Sequence, residues 1–524
     1  MDGANAEIRR LRDDADREAY WRRWGPYVAD RQWGTVREDY SADGDAWRHF
    51  PFEHAHLRTY RWGEDALFGI CDRQGRLHLG LGLWNGRDPL LKERLFGLAG
   101  PEGNHGEDSK ELYFHLDAVP SHAWLEALYK YPQAAFPYDR LREVNARLPR
   151  TEPEYELLDT GVFDEDRYFD VRYQLAKATD DDLCVRVRVT NRGPEDAVCH
   201  VLLQLWWRNT WSWGRTGEGY WARPSLDRTG HDGIRADGMG LAPHLFWADA
   251  CEGERPELLF TENETARRAL YGVDDPLPWV KDAFHRRVVH GERGACNPEG
   301  TGTKAAAWWS PTVRAGATVE VRVRLHAEGR RVEEPFGPAF DAIFERRRAE
   351  ADAWHAHLSP AGATPEERQV QRQAAAGLIW TRQFYTFVVK DWLEGDAPAQ
   401  PPPPAGRDAV RNAAWAGHLY NRDIISMPDK WEYPWYAAWD LAFHMVPFAR
   451  IDPAFAKDQL ELFVREWYLH PNGQIPAYEW NFSDVNPPVH AWAAWRVYKL
   501  SAPKGQRDRR FLAHIFQKLL LNFT

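Results

Sequence analysis

Two periods divide the chain. From about residue 50 to 330, apolar and charged residues alternate in short runs such as LCVRVRVTN (183–191) and VEVRVRLHA (319–327). That two-residue period belongs to a half-buried sheet. Turn clusters such as NRGPED (191–196) and RAGA (314–317) separate the runs. Helical stretches do not alternate regularly with them, so an antiparallel β-sandwich is expected rather than a parallel sheet. The first 25 residues or so read as a leading helix. From residue 335 the spacing changes, and FDAIFERRRAEADAWHAHL (340–358) sets Phe340, Ile343, Phe344, Ala351, Trp354 and Leu358 near helical spacing, as in a connecting helix. Thr364 caps the next helix, with Pro365 at its first position and Glu367 three residues after the cap. This helix is predicted to run through LIWTRQFYTFVV (378–389).

Further helices are predicted from Trp435 to Arg450, Pro453 to His470, Pro488 to Leu500 and Arg509 to Thr524, with turns at HPNG (470–473) and APKG (502–505). The proline run APAQPPPPAG (397–406) fits neither helix nor central strand and reads as an extended surface loop. No tight repeat of fixed period is visible, so a solenoid is not indicated, and a toroid of diverged helical hairpins is the natural alternative. The expected organisation is multidomain β plus α. A β-sandwich with its leading helix spans 1–332, a helical linker 333–363 and a helical domain 364–524.

Composition narrows the function. A chain of 524 residues has room for two or three domains and for an enzyme's core. A formal charge of −11 and a pI near 6.0 leave no basic stripe, which argues against nucleic acid or anionic lipid as partner. Cys71, Cys184, Cys199, Cys251 and Cys296 are few and scattered, with no CxxC pair for zinc or redox chemistry. The opening MDGANAEIRRLRDD is charged throughout, and no stretch approaches a membrane-spanning run, so a reduced, cytoplasmic protein with no membrane partner is expected. No GxSxG serine or P-loop lysine is present, and no cofactor is implied. The histidines of HFPFEHAH (49–56) lack a supporting metal-ligand pattern. What stands out is aromatic content, with 27 tryptophans and a 14% aromatic share, because such rings stack on sugar faces as well as fill cores.

The rings cluster beside acids in PDKWEYPWYAAWDLAFH (428–444), which holds Asp429, Glu432 and Asp440. Pro434 can start a helix that aligns Tyr436, Asp440 and His444, or Asp440 can itself cap a helix beginning at Leu441. Either way a carboxyl group lies among rings, where poor solvation of its charge favours the protonated form. Such an acid can protonate a glycosidic oxygen while a second carboxylate handles water or attacks carbon. An aspartate cap in a tryptophan-rich core is the ordinary alternative.

PDKWEYPWYAAWDLAFH resembles the catalytic-acid segment of glycoside hydrolase family 63, the processing α-glucosidase I-like enzymes, and also the mannosylglycerate hydrolase-like catalytic domain. RQWGTVREDYSADGDAW (31–47), YRWGEDALFGICD (60–72), LWNGRDPLLKERLFGL (83–98), GNHGEDSKE (103–111) and LWWRNTWSWG (205–214) resemble long bacterial members of that family. The resemblance implies an N-terminal antiparallel β-sandwich, a helical linker and an (α/α)6 toroid. It also implies inversion by an aspartic acid and a glutamate base. The acid falls on Asp440. The base does not transfer, because no segment here matches its surroundings. From Pro365 onward there is room for about half of twelve helices of about 12 residues. The expectation is a C-terminally truncated member carrying the first part of the toroid, with its base beyond residue 524, exposed apolar helix faces and little activity or solubility on its own.

Around Asp440, the residues Trp431, Glu432, Tyr433, Trp435, Tyr436 and Trp439 are the expected substrate contacts. A second set is Gln474, Tyr478, Glu479 and Trp480 in HPNGQIPAYEW (470–480), read as a pocket-mouth connection. The expected activity is inverting hydrolysis of an α-glucoside or oligosaccharide without metal or cofactor. Glycosylglycerate hydrolysis, a catalytically incomplete sugar-binding protein and a phosphate-dependent phosphorylase are the rivals.

Overall fold

The alternation along 183–191 and 319–327 becomes neighbouring strands of one sheet. Val319, Val321 and Val323 lie opposite Val189, Val187 and Val185, all buried, while Glu320 lies opposite Arg188 and accepts its Nε–H at 2.6 Å. Apolar rows turned inward and charged pairs turned outward are what a two-residue period specifies. In the computed structural model the described residues are 5–31, 51–98, 108–395, 419–427, 429–431, 437–478, 481–485 and 487–523.

Two antiparallel sheets face each other. The nine-stranded sheet runs in the order Thr301–Gly302, Ser225–Thr229, Gly233–Gly238, Leu241–Ala248, Thr318–Ala327, Asp182–Asn191, Tyr168–Thr179, Trp124–Pro132, Tyr113–Ala118. The six-stranded sheet runs Trp24–Gly25, Leu67–Asp72, Leu77–Trp84, His200–Trp207, Lys304–Trp309, Glu257–Thr261. Their inner rows, among them Leu79, Leu81, Leu203, Leu205, Val171, Tyr173 and Val187, form one apolar core.

The leading helix α1, Ala6–Ala15, is capped by Asn5, whose side chain accepts from the amides of Glu7 and Ile8. It is shorter than predicted, since residues 16–25 form turns and the first strand. Helix α2, Pro338–Leu358, connects sandwich to helices, and α3, Pro365–Trp380, begins with the Thr364–Glu367 capping box. The prediction that α3 continues to residue 389 is wrong. It ends at Trp380, and Arg382–Val388 is a strand paired antiparallel with Tyr420–Ser426. Gln383, Tyr385 and Phe387 oppose Ile425, Asp423 and Asn421, so a β-prone aromatic run finds its partner some forty residues on, beyond the reach of local periodicity.

Beyond the strand Tyr420–Ser426 the described helices are α4, Ala438–Ile451, α5, Pro453–Leu462, α6, Val489–Leu500, and α7, Arg509–Phe523. Helix α5 ends eight residues before the predicted His470, in turns that close on the Gly473 amide bonded to the His470 carbonyl at 2.8 Å. Helices α4, α6 and α7 leave Trp439, Phe443, Trp492, Trp495 and Phe516 exposed. The proline run 397–406 lies outside the described residues. Among those described, no helix is long and apolar enough to cross a membrane.

Sandwich and helices share a continuous core, and a buried polar knot ties them. The Arg382 guanidinium donates to Asp452 Oδ2 at 2.8 Å and to the Pro120 carbonyl at 3.0 Å, and it lies 4.1 Å from the Phe455 ring centroid. Asp452 also caps α5 by accepting from the Phe455 amide at 3.1 Å. At the last residue of α3, close by in the chain, Trp380 stacks on His115 of the outermost strand, with ring centroids 4.8 Å apart.

Candidate active site

Asp440 sits in the first turn of α4, whose cap position is Ala437 with no capping side chain. Both sequence alternatives are therefore corrected by a few residues. The helix starts at Ala438, neither at Pro434 nor after Asp440, which makes Asp440 its third residue. A carboxylate there feels the positive end of the helix dipole and an amide bond that favour its charged form. Burial opposes this, and burial is the larger effect, so the Asp440 carboxyl is pushed above its ordinary value.

Its neighbours follow from helical spacing. Trp439, 38% exposed, and Phe443 lie 6.1 Å apart between centroids, and Phe443 meets Trp492 of α6 at 5.6 Å. One turn after Asp440, His444 shares a 2.9 Å hydrogen bond through Nδ1 with Ser426 Oγ, which contacts Thr381 Oγ1 at 2.9 Å. Burial lowers the His444 pKa to about 4, so it is neutral at ordinary pH. The site thus rests on the strand and turn that follow α3.

Trp431 is not an open stacking platform. It is 5% exposed, with the Arg31 guanidinium 4.8 Å from its ring centroid, and its Nε1–H has no hydrogen-bond partner among the described residues. Gln474 helps close the turn after α5, its amide donating to Asn472 Oδ1 at 2.8 Å and its carbonyl accepting from the His470 amide at 3.0 Å. Tyr478 ends the short strand Pro476–Tyr478, which runs alongside α4 and pairs with Asn481–Val485, so this connection is a ribbon rather than an irregular loop. Glu432, Tyr433, Trp435, Tyr436, Glu479 and Trp480 lie outside the described residues, as do most of the 31–47 motif and the GNHGE of 103–107.

Sequence reasoning passed over the group behind Trp431. Lys430, 5% exposed, donates from Nζ to the carbonyls of Pro26 at 2.6 Å and Val28 at 2.9 Å, which pins the 429–431 stretch to the start of the sandwich. Asp429 Oδ1 accepts from the Trp431 amide at 2.7 Å. Asp30 lies beside them, 8% exposed, its pKa raised to about 6 by burial, against the pull of Lys430 and with a further push from Asp429 and Asp65. The only sequence signal was its place directly before the 31–47 motif. Among the described residues, no group of three or more histidines, cysteines or acids is arranged to hold a metal ion. His56 of HFPFEHAH instead stacks on His285 with centroids 4.1 Å apart.

Residues 433–524 match the family model of the mannosylglycerate hydrolase MGH1-like glycoside hydrolase domain. Over 568 aligned residues the chain is 45% identical to the Saccharomyces cerevisiae protein named Uncharacterized protein YMR196W, covering 99% of this chain and 51% of that protein. The chain spans about half the length of the curated relative it matches. Similar solved structures include a GH92 family glycosyl hydrolase at 12% identity, with 95% of this chain and 56% of that chain covered and a TM-score of 0.27. A GH92 inverting mannosidase from Bacteroides thetaiotaomicron VPI-5482 has 11% identity, 95% and 64% coverage and a TM-score of 0.26. A putative kojibiose phosphorylase from the human microbiome has 8% identity, 95% and 69% coverage and a TM-score of 0.23.

Proposed function

We propose that the protein is a carbohydrate-active glycosidase in which Asp440 is the general acid, acting on an α-glucoside or glucosyl oligosaccharide with inversion of configuration. The observation that carries this reading is one residue in one context. Asp440 is a half-buried carboxyl, raised by burial, within a stretch that matches a glycoside hydrolase domain. A glycosidic oxygen leaves as an alcohol only if it is protonated as the bond breaks, and a carboxyl kept protonated nearer neutral pH supplies that proton. Trp439 and Phe443 offer apolar ring surface next to it for a sugar face. Inversion needs a second carboxylate about 6.5–9.5 Å away with a water between, and no described carboxylate is assigned that role.

A second reading, hydrolysis of a mannosyl- or glucosylglycerate, is favoured by the description of the matched domain. The two differ in whether the leaving group carries a carboxylate.

The protein would be incubated with kojibiose, nigerose, glucosylglycerate and mannosylglycerate, and the released sugar followed by proton NMR, which also reports its anomeric form. Asp440→Asn is expected to lower kcat by about 10²–10⁴-fold with little change in KM. Turnover unaffected by that substitution would refute the role of Asp440.

A further inference from the structure

The sandwich and the ribbon of Arg382–Val388 and Tyr420–Ser426 enclose a small cavity, and no residue of α4 lines it. Arg61, Arg208 and Tyr220 contribute from the sandwich, Thr386 and Arg422 from the ribbon, and Asp391 from just beyond its first strand. Thr386 and Arg422 are register partners, so their side chains share one face of the ribbon. Glu218, whose side chain is 79% exposed, marks the mouth. Inside, about 20 Å³ is open to the centres of oxygen-sized atoms, room for one or two of them.

Charge does not balance here. Three arginines line the cavity against two carboxylates, and both carboxylates are engaged elsewhere. Asp391 accepts from the Tyr220 hydroxyl at 2.8 Å and pairs with Arg215 Nη1 at 3.3 Å. Glu218 pairs with Arg422 Nη1 at 3.0 Å, but so exposed an acid holds its partner weakly. Arg208 is the extreme case, 4% exposed and with no ion pair among the described residues. Its Nε and Nη1 donate to the neutral carbonyls of Gly75 at 2.7 Å and Arg61 at 2.8 Å, and its Nη2 makes no hydrogen bond among the described residues. Burial, aided by the nearby charge of Arg422, brings its pKa down to about 10. The Thr386 hydroxyl, on a residue 6% exposed, is likewise unspent among the described residues. A buried cation without a counter-ion is costly, and a second cation at the same cavity adds to the cost. Guanidinium groups only donate, and two of them converging on room for one or two oxygens suit the flat head of a carboxylate. A sugar ring is too large for that space.

We propose that this cavity binds a small carboxylate, whose oxygens take hydrogen bonds from Arg208 Nη2, the Arg422 guanidinium and the Thr386 hydroxyl. The anion bridges two parts of the fold, because Arg208 directly follows the sandwich strand His200–Trp207 while Thr386 and Arg422 belong to the ribbon. Glu218 competes with it for Arg422. The site is independent of the carbohydrate reading above.

The test is calorimetric titration at pH 7 and constant ionic strength with acetate, glycerate and glucosylglycerate, and with acetamide as the uncharged match of acetate. A carboxylate is expected to bind saturably and to raise Tm, and acetamide to do neither. Tightest binding of acetate or glycerate identifies a free acid as the source, tightest binding of glucosylglycerate an acid group on a larger molecule, and either supports the site. Arg422→Gln is expected to weaken binding at least tenfold, Thr386→Val several-fold, and Glu218→Gln to tighten it several-fold by removing the competing acid. The last variant changes an exposed side chain, so it reads the site even where Arg422→Gln fails to fold. No carboxylate binding beyond that of acetamide overturns the proposal. Carboxylate affinity unchanged in Thr386→Val and Glu218→Gln places the anion elsewhere and also overturns it.

Discussion

Asp452→Ala tests whether the knot between sandwich and helices holds as described. Asp452, 1% exposed, serves three groups: Arg382 Nη2 at 2.8 Å, Arg22 Nη1 at 3.4 Å and the Phe455 amide at 3.1 Å. Losing the cap on α5 costs about 1 kcal/mol. Stranding the Arg382 guanidinium costs more, because it is fully enclosed and its other contacts, the Pro120 carbonyl and His122 Nε2 at 3.3 Å, are neutral. Removing one partner of a buried ion pair costs about 3–5 kcal/mol. Arg22 gives no relief, since it is committed to Asp14 at 2.6 Å. The sum is about 4–6 kcal/mol, or a fall in Tm of about 4–6 °C for a chain of this size unfolding as one unit. Asp452→Asn keeps the cap and is expected to fall between wild type and alanine. The assay is thermal unfolding of Asp452→Ala, Arg382→Met and the double variant, where methionine preserves the apolar stem over Phe455. The double variant is expected to recover about 1–3 kcal/mol relative to the sum of the singles. A Tm within about 1 °C of wild type for Asp452→Ala, or strict additivity, would refute the knot.

Two further outcomes follow from the same packing. Gly75 holds φ +57°, and a Cβ there would lie 2.6 Å from a Phe384 ring carbon, so Gly75→Ala is expected to cost about 1–3 kcal/mol and to raise protease sensitivity in the 382–388 ribbon before the rest of the chain; uniform cleavage would refute the coupling. Burial holds the pKa of His78 at about 3 and of His490 at about 4, against about 6.5 unfolded, so the unfolded state binds protons first and stability falls as pH drops from 6.5 towards those values, by about 1.4 kcal/mol per pH unit for each. Urea midpoints at pH 7 and pH 5 read this out, and replacing either ring with phenylalanine is expected to flatten the slope by one proton.

Period and caps made the sandwich strands at 183–191 and 319–327 and the start of α3 legible, because each depends on residues within one strand or one helical turn. The end of α3 was not legible. Its boundary is set by pairing with 420–426, and nothing in RQFYTFV reveals that partner. The same limit applied at the site. Asp440 was singled out because rings and acid are adjacent in sequence, and burial raises its pKa. Trp431 was read as a sugar platform from the same local pattern, yet Arg31, some four hundred residues earlier, covers it. Asp30 and Lys430 escaped notice because a buried aspartate or lysine looks like any surface one until the chain folds.

The placement of these residues explains why the sandwich should matter to chemistry on the helices. The 429–431 stretch lies in sequence between the 420–426 strand and α4. Lys430 anchors it with two carbonyl bonds to residues 26 and 28, and the 382–388 ribbon that pairs with 420–426 docks through Phe384 on the turn at Gly75. Both anchors are on the sandwich. A change at either should displace Asp440 without touching it, lowering kcat while leaving the Asp440 side chain and its own pKa determinants in place. Lys430→Met separates this from a local effect: it removes both carbonyl bonds but fills the same space, so a site held by packing alone would keep its kcat, whereas a site held by the anchor would lose it by about tenfold or more even where Tm is preserved.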